Sequence, residues 1–263
     1  MNPSATEANP DSSKLRRLHE VLRADNQQLF GYLNDPDRDI LKALLKNPVL
    51  NDEHLLVLLR RRDLTEDFLK GMARHPLLEK NHRLKVALVG NPAAPSPIVQ
   101  SILPQLHLFE LVNLCFIPGV TPDQRLAAER AIIQRLPNVP LGSKVTLARR
   151  ATSNVAAELL KEGQVQLMEA CLNNPRLKEV SILQFINSAR SQADTISAIA
   201  RHPKWKNRPN LKQAILKNPR TPNIWFTLFL PNLTRSDLRN LAANKALRPD
   251  QRRLVTEALG HRS

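Results

Sequence analysis

The residues of this chain that could do chemistry are mostly cations. Residues 200–263 carry 14 lysines and arginines but only 3 acidic residues. Such cations neutralise phosphates or carboxylates, and an aromatic ring among them can stack on a base. Trp205 stands within a run of this kind, HPKWKNRPNLK. The sequence therefore defines a candidate partner-binding surface of Lys204, Trp205, Lys206, Arg208, Lys212, Lys217, Arg220, Arg235, Arg239, Arg248 and Arg252.

The same cations have a plainer interpretation, in which they form a solvated face and Trp205 covers the core. Trp225 lies in the continuous apolar segment NIWFTLFL, so we expect it to pack in the core.

Catalytic and metal-binding patterns are weak. The seven histidines are scattered, no CxxC pair occurs, and seven glycines leave no phosphate-binding loop. His75 and His202 each precede a proline, where we expect them to bond terminal helix carbonyls. Cys115 and Cys171 lie in apolar stretches, which predicts buried, reduced thiols. We therefore expect no enzymatic activity, cofactor, metal or small-molecule substrate.

The composition favours short helices. Twenty prolines against seven glycines, with 4% aromatic residues, are unlike a β-rich protein. No apolar run approaches the roughly 18 residues of a membrane span. The first residues, MNPSATEANPDSSK, lack the apolar stretch of a secretory signal and predict a disordered tail. A cytoplasmic location is expected.

The cations lie in one copy of an internal sequence repeat. Shifting the chain by 127 residues aligns residues 73–132 with 200–259 without a gap, and 21 of the 60 positions are identical. ARHP falls on ARHP, and LKVALVGNPAAP falls on LKQAILKNPRTP. The register extends upstream, where ALLKNPVL falls on ACLNNPRL. A match of this length indicates an internal duplication.

Each repeat unit has the pattern of a helix that ends at an Asn-Pro pair. Segments such as LKALLKNP place apolar residues on one helical face. The proline cannot continue the helix, and asparagine tolerates a left-handed C-terminal position. We therefore expect helix ends at the asparagines of the four pairs, Asn47, Asn91, Asn174 and Asn218.

Two families of repeat protein resemble this pattern. The 44-residue spacing between Asn-Pro pairs and the helix-turn-helix unit resemble HEAT repeats, and NP-x-x-P before a leucine-rich helix is similar to bacterial leucine-rich-repeat-variant proteins. The resemblance covers roughly residues 36–259 and implies an all-α, right-handed α-solenoid of antiparallel helix pairs that acts as a scaffold. It implies no catalytic residues.

The predicted organisation has five parts. Residues 1–13 form the disordered tail, 14–35 capping helices, 36–135 the first repeat block, 136–162 connecting helices, and 163–263 the second, basic block.

Charge differs along the chain. Residues 1–132 carry 17 basic and 16 acidic residues, whereas residues 200–263 carry 14 basic and 3 acidic residues.

The first hypothesis for function is a non-enzymatic scaffold that binds a protein partner through its concave helical face. The second is a nucleic-acid-binding module that uses the basic copy, and an anionic membrane surface is a third, less favoured partner.

A minor alternative is a HEAT-like DNA glycosylase, which would need a carboxylate in its groove. Asp67, Asp194 and Asp237 are the candidates, although caps or internal ion pairs explain such positions as well.

Overall fold

The chain is all helical in a computed structural model that describes residues 10–261. These residues contain no β-strand, as the composition predicts. The predicted disordered tail is too long, because helix α1 begins at Pro10 and residues 10–13 form its first turn. Residues 1–9 of the tail lie outside the described residues.

The helices form two compact units, one ending at Ala131 and the other beginning at Ile132. The first ten helices are α1 (Pro10–Arg23), α2 (Asn26–Tyr32), α3 (Arg38–Leu44), α4 (Asp52–Leu59), α5 (Glu66–Ala73), α6 (Pro76–Lys80), α7 (His82–Val89), α8 (Ser96–Ile102), α9 (Leu108–Leu114) and α10 (Pro122–Arg135). The remaining nine are α11 (Leu141–Arg150), α12 (Ser153–Lys161), α13 (Val165–Leu172), α14 (Glu179–Ile186), α15 (Ala193–Arg201), α16 (Pro209–Lys217), α17 (Asn223–Phe229), α18 (Arg235–Ala242) and α19 (Pro249–Gly260).

Helix starts recur at a fixed separation. The starts of α2, α3, α4, α5, α7, α8, α9 and α10 each lie 127 residues before those of α12 to α19, taken in order. The short helix α6 has no helical counterpart, because residues 203–207 form turns. The helix boundaries therefore follow the sequence register well beyond the aligned 60 residues.

Within each unit the helices pack in two layers. In the first unit α3 contacts α1 and α5, and α7 contacts α4 and α9. In the second unit α13 contacts α11 and α15, and α14 contacts α12 and α16. Helices next but one in the chain thus lie side by side, except that the additional short helix α6 also intervenes between α4 and α7.

Asparagine side chains tie neighbouring helix ends together. The Asn174 amide donates to the carbonyls of Ala148 and Ala151, at 2.7 and 3.0 Å, while its Oδ1 accepts from the N–H of Arg176. Asn47 makes the same two bonds, at 2.7 and 3.0 Å, to carbonyls 26 and 23 residues earlier. Each amide thereby satisfies carbonyls that a helix end leaves without an intrahelical partner.

The other two Asn-Pro pairs work in the same way. Asn91 donates to the carbonyls of Leu59 and Arg61, and Asn218 donates to that of Ile186, 32 residues earlier. All four asparagines lie just beyond the last helical turn, as predicted. The predicted left-handed backbone is wrong, since no described non-glycine residue has a positive φ. Asparagine acts here through its amide.

The core consists of the repeated aliphatic positions. Leu111 and Leu238 occupy equivalent places in the repeat, and both are fully buried. Leu45 and Ala87, which belong to the apolar segments LKALLKNP and LKVALVGNPAAP, are only half-buried.

We expect Leu111→Ala and Leu238→Ala each to lower the free energy of unfolding by about 2–5 kcal/mol, because each leaves a cavity. Urea denaturation followed by circular dichroism measures the loss. Leu228→Ala is the control, since Leu228 is 51% exposed. Similar values for all three variants would contradict this assignment of faces.

Asn174→Ala should cost about 2–4 kcal/mol, because it leaves two buried carbonyls and the N–H of Arg176 without their partner. Asn173→Ala is the matched control, because Asn173 is exposed and its amide bonds only within its own helix end and to His202. Equal stability losses in urea denaturation would show that the buried amide has no special role.

Candidate partner-binding surface

The structure buries one member of the predicted surface. Trp205 is 3% exposed, and its indole N–H donates to the carbonyl of Leu172 at 3.0 Å. The Lys204 ammonium lies over the ring, 4.6 Å from its centroid, and donates to the carbonyl of Asn174. Trp205 therefore covers the core, and its predicted role as a stacking platform is wrong.

Trp225 is half-buried rather than fully enclosed in the core. Its indole N–H donates to the Ser197 hydroxyl at 2.9 Å, and its ring contacts Phe229. The hydrogen bond to Ser197 joins α17 to α15 within one layer of the second unit.

Five of the remaining predicted cations lie at two opposite ends of helix α16. Lys204, Lys206 and Arg208 occupy the loop before α16, whereas Lys217 and Arg220 lie at its far end. Nine helical residues separate these groups by about 13 Å along the axis. The predicted surface is therefore divided between two edges of the second unit.

One of these edges gathers more cations than the sequence analysis assigned to it. We call it the basic edge, and it lies where α12, α14, α16 and α18 end. Its exposed members are Arg190, Lys217, Arg220, Lys245 and Arg252. Arg190 and Lys245 were missed because their place at this edge depends on how the helices stack.

Hydrogen bonds to backbone carbonyls hold the three arginines of this edge in place. Arg190 donates to the carbonyl of Lys161, and Arg220 donates to those of Ala189 and Ser191. The Arg252 guanidinium donates to the carbonyls of Lys245 and Leu247 in the same manner. Each arginine uses only one guanidinium nitrogen in these bonds, so most of its N–H groups remain available to bind a partner.

Carboxylates do not neutralise the basic edge. Among the described residues, no ion pair involves any of its five members. By contrast, Arg248 bonds Asp250 at 3.1 Å and Arg208 lies 3.8 Å from Glu179. Unpaired cations fixed at helix ends keep their charge available to an acidic partner.

The other predicted cations are dispersed. Lys212 lies over the Phe229 ring, 5.6 Å from its centroid, and is half-buried. Arg235 and Arg239 are exposed on α18. Arg235 opens α18, whereas Arg239 lies in its last turn, on the side of the basic edge.

Two exposed apolar side chains lie on α17, the helix that follows Arg220 of the basic edge in the chain. Ile224 and Leu228 are 58% and 51% exposed on α17, which begins three residues after Arg220. Their spacing of four residues places them on one face of that helix. An apolar face beside fixed positive charge suits an amphipathic, acidic partner.

The aligned positions of the first unit lack most of these features, although Arg252 has a basic counterpart there in Arg125. Gly90, Ala93 and Pro118 stand where the second unit has Lys217, Arg220 and Lys245, and Asp63 stands in place of Arg190. Pro97 and Ser101 replace the two exposed apolar residues of α17. The combination therefore belongs to the second unit alone.

The carboxylates considered for glycosylase chemistry have surface roles. Asp67 is 82% exposed and lies 3.8 Å from Lys70. The Asp237 carboxylate accepts from the Thr234 hydroxyl and from Gln213. Asp194, in the first turn of α15, is exposed.

The two histidines before prolines do not cap carbonyls as predicted. Nδ1 of His75 accepts from the N–H of Leu77, and Nδ1 of His202 accepts from that of Lys204, each at 3.3 Å. They therefore fix the turn that follows the helix. Burial, and then the charge of Lys204, lower the pKa of His202.

Comparison with known proteins gives no relative: no protein-family model, curated protein or solved structure matches the chain. Within the described residues, no helix has both the length and the hydropathy of a membrane span.

Both cysteines are buried, as predicted, and this should make them inert. Burial raises the pKa of the Cys115 and Cys171 thiols to about 12. At pH 8 only about one thiol in 10,000 would be ionised, and the thiolate is the reactive form. We expect slow labelling by an aromatic disulfide in the native state and fast labelling of both thiols in urea. Rapid native labelling would contradict this assignment.

Proposed function

We propose that the chain is an internally duplicated, right-handed α-solenoid, and that the duplication covers almost its whole length. The common 127-residue offset of eight helix starts supports this proposal. So does the recurrence of the Asn47 bonds at Asn174 with the same separations. On this view α11 and α12 are the counterparts of α1 and α2 rather than connecting helices.

On this scaffold the function is non-enzymatic binding of a protein partner that presents an acidic, amphipathic segment. The basic edge carries the proposal, because its cations lack carboxylate partners and α17, the helix that follows Arg220 in the chain, exposes Ile224 and Leu228. We assign binding to the second unit, because it carries both features. The first unit extends the scaffold.

Charge and apolar contact would have separate roles in this binding. The fixed arginines attract an acidic segment over about 8–10 Å at physiological salt, which raises the association rate. Ile224 and Leu228 would then bury apolar side chains of the partner and slow its dissociation. An acidic segment without apolar residues should therefore bind weakly.

Nucleic acid is the second candidate, favoured by the 14 cations and 3 acidic residues of residues 200–263. The buried ring of Trp205 removes the stacking contact. Binding would then depend on phosphates alone and fall steeply as salt rises.

The test compares three fluorescent probes by anisotropy at about 50 and 200 mM salt. They are polyglutamate, an acidic helical peptide of about 20 residues with leucines four residues apart, and duplex DNA. The leucine-bearing peptide should bind more tightly than polyglutamate. Arg220→Ala with Lys245→Ala should weaken its binding about tenfold, which corresponds to about 1.4 kcal/mol.

Two further variants separate the contributions. Leu228→Ser introduces the residue found at position 101, and it should weaken binding of the leucine-bearing peptide but not of polyglutamate. Lys206→Ala, at the other end of α16, is the charge control and should leave binding unchanged. DNA binding without peptide binding would overturn the proposal in favour of nucleic acid. Failure of all three probes would exclude the basic edge as an electrostatic binding site.

A further inference from the structure

Two of the scattered histidines meet in the first unit. His82 opens α7 and His107 directly precedes α9, and their rings stack with centroids 4.6 Å apart at an angle of 13°. Glu110, in the first turn of α9, completes the group. One nitrogen from each imidazole and one carboxylate oxygen all lie within 4.8 Å of one another.

An unsatisfied atom points to a ligand at this group. Nδ1 of His82 is buried, lacks a hydrogen-bond partner among the described residues, and lies 3.5 Å from Oε2 of Glu110. Buried nitrogens of this kind nearly always have a partner. The same carboxylate oxygen accepts from the backbone N–H of His107 at 2.7 Å, which fixes its position.

We propose that His82, His107 and Glu110 bind a divalent transition-metal ion, with Zn²⁺ as the best match. Two imidazoles and one carboxylate form a common three-ligand zinc set that leaves the fourth position open to water. Zinc at about 2.0–2.2 Å from each ligand needs donor atoms roughly 3.3 Å apart. His107 is exposed, so its ring can rotate out of the stack to close that gap.

The second unit has no equivalent group. The positions aligned with His82 and His107 hold Pro209 and Thr234. There the carboxylate of Asp237, aligned with Glu110, accepts from the Thr234 hydroxyl, and the backbone N–H of Asp237 donates to the same hydroxyl oxygen, which closes the first turn of α18. The scaffold thus tolerates threonine at this place, and the histidines are not required to start the helix.

This comparison provides a matched variant. His107→Thr introduces the residue that caps α18, so helical content should be retained. Isothermal titration of the full chain with zinc chloride should show one ion bound, and His107→Thr should weaken binding at least about tenfold. His82→Gln should do the same. His75→Gln, which alters a histidine outside the group, should leave the zinc affinity unchanged.

Cobalt provides a second measurement, because Co²⁺ in a tetrahedral zinc site absorbs in the visible range and reports its ligands. Adding Co²⁺ to the wild-type chain should give this absorption, and the His107→Thr variant should not. No zinc binding at about 0.1 mM, or stoichiometric binding that survives both His82→Gln and His107→Thr, would overturn the proposal. These measurements are independent of the basic edge, so either proposal can fail alone.

Discussion

The fold depends on one recurring interaction, the hydrogen bonds from an asparagine amide to the carbonyl end of a neighbouring helix. Short helices of seven to nine residues have many unpaired terminal carbonyls for their length. The Asn47 and Asn174 amides each satisfy two such carbonyls, and the side-chain oxygen shapes the turn that follows. These hydrogen bonds between helix ends fix how neighbouring helices stack, and the stacking places the side chains of the core and the surface.

The two units share the same helix positions but differ in their surface residues. At aligned places the first unit combines His82, His107 and Glu110, whereas the second has ordinary capping residues. Conversely, four of the five cations of the basic edge and the exposed side chains of Ile224 and Leu228 have no counterpart at the aligned positions of the first unit. Because helix starts and core positions coincide, these differences are not needed for folding. The two proposed binding sites rest on these differences.

Local patterns in the sequence predicted the helices, their ends and the core, because Asn-Pro pairs and apolar spacing are determined by neighbours in the chain. The surfaces were harder to predict. Trp205 resembled a stacking residue until its indole was found bonded to Leu172, 33 residues earlier. His82 and His107 are 25 residues apart, and their contact depends on the stacking of α7 against α9. Sequence spacing alone contains no signal for either contact.

The burial of Trp205 also determines what spectroscopy can observe in this protein. Both tryptophans, Trp205 and Trp225, belong to the second unit, whereas the first contains the single tyrosine, Tyr32. Tryptophan emission excited at long wavelength therefore arises from the second unit alone, while far-ultraviolet dichroism sums the helices of both. The chain thus carries an intrinsic reporter that distinguishes unfolding of one unit from unfolding of the whole, without any label.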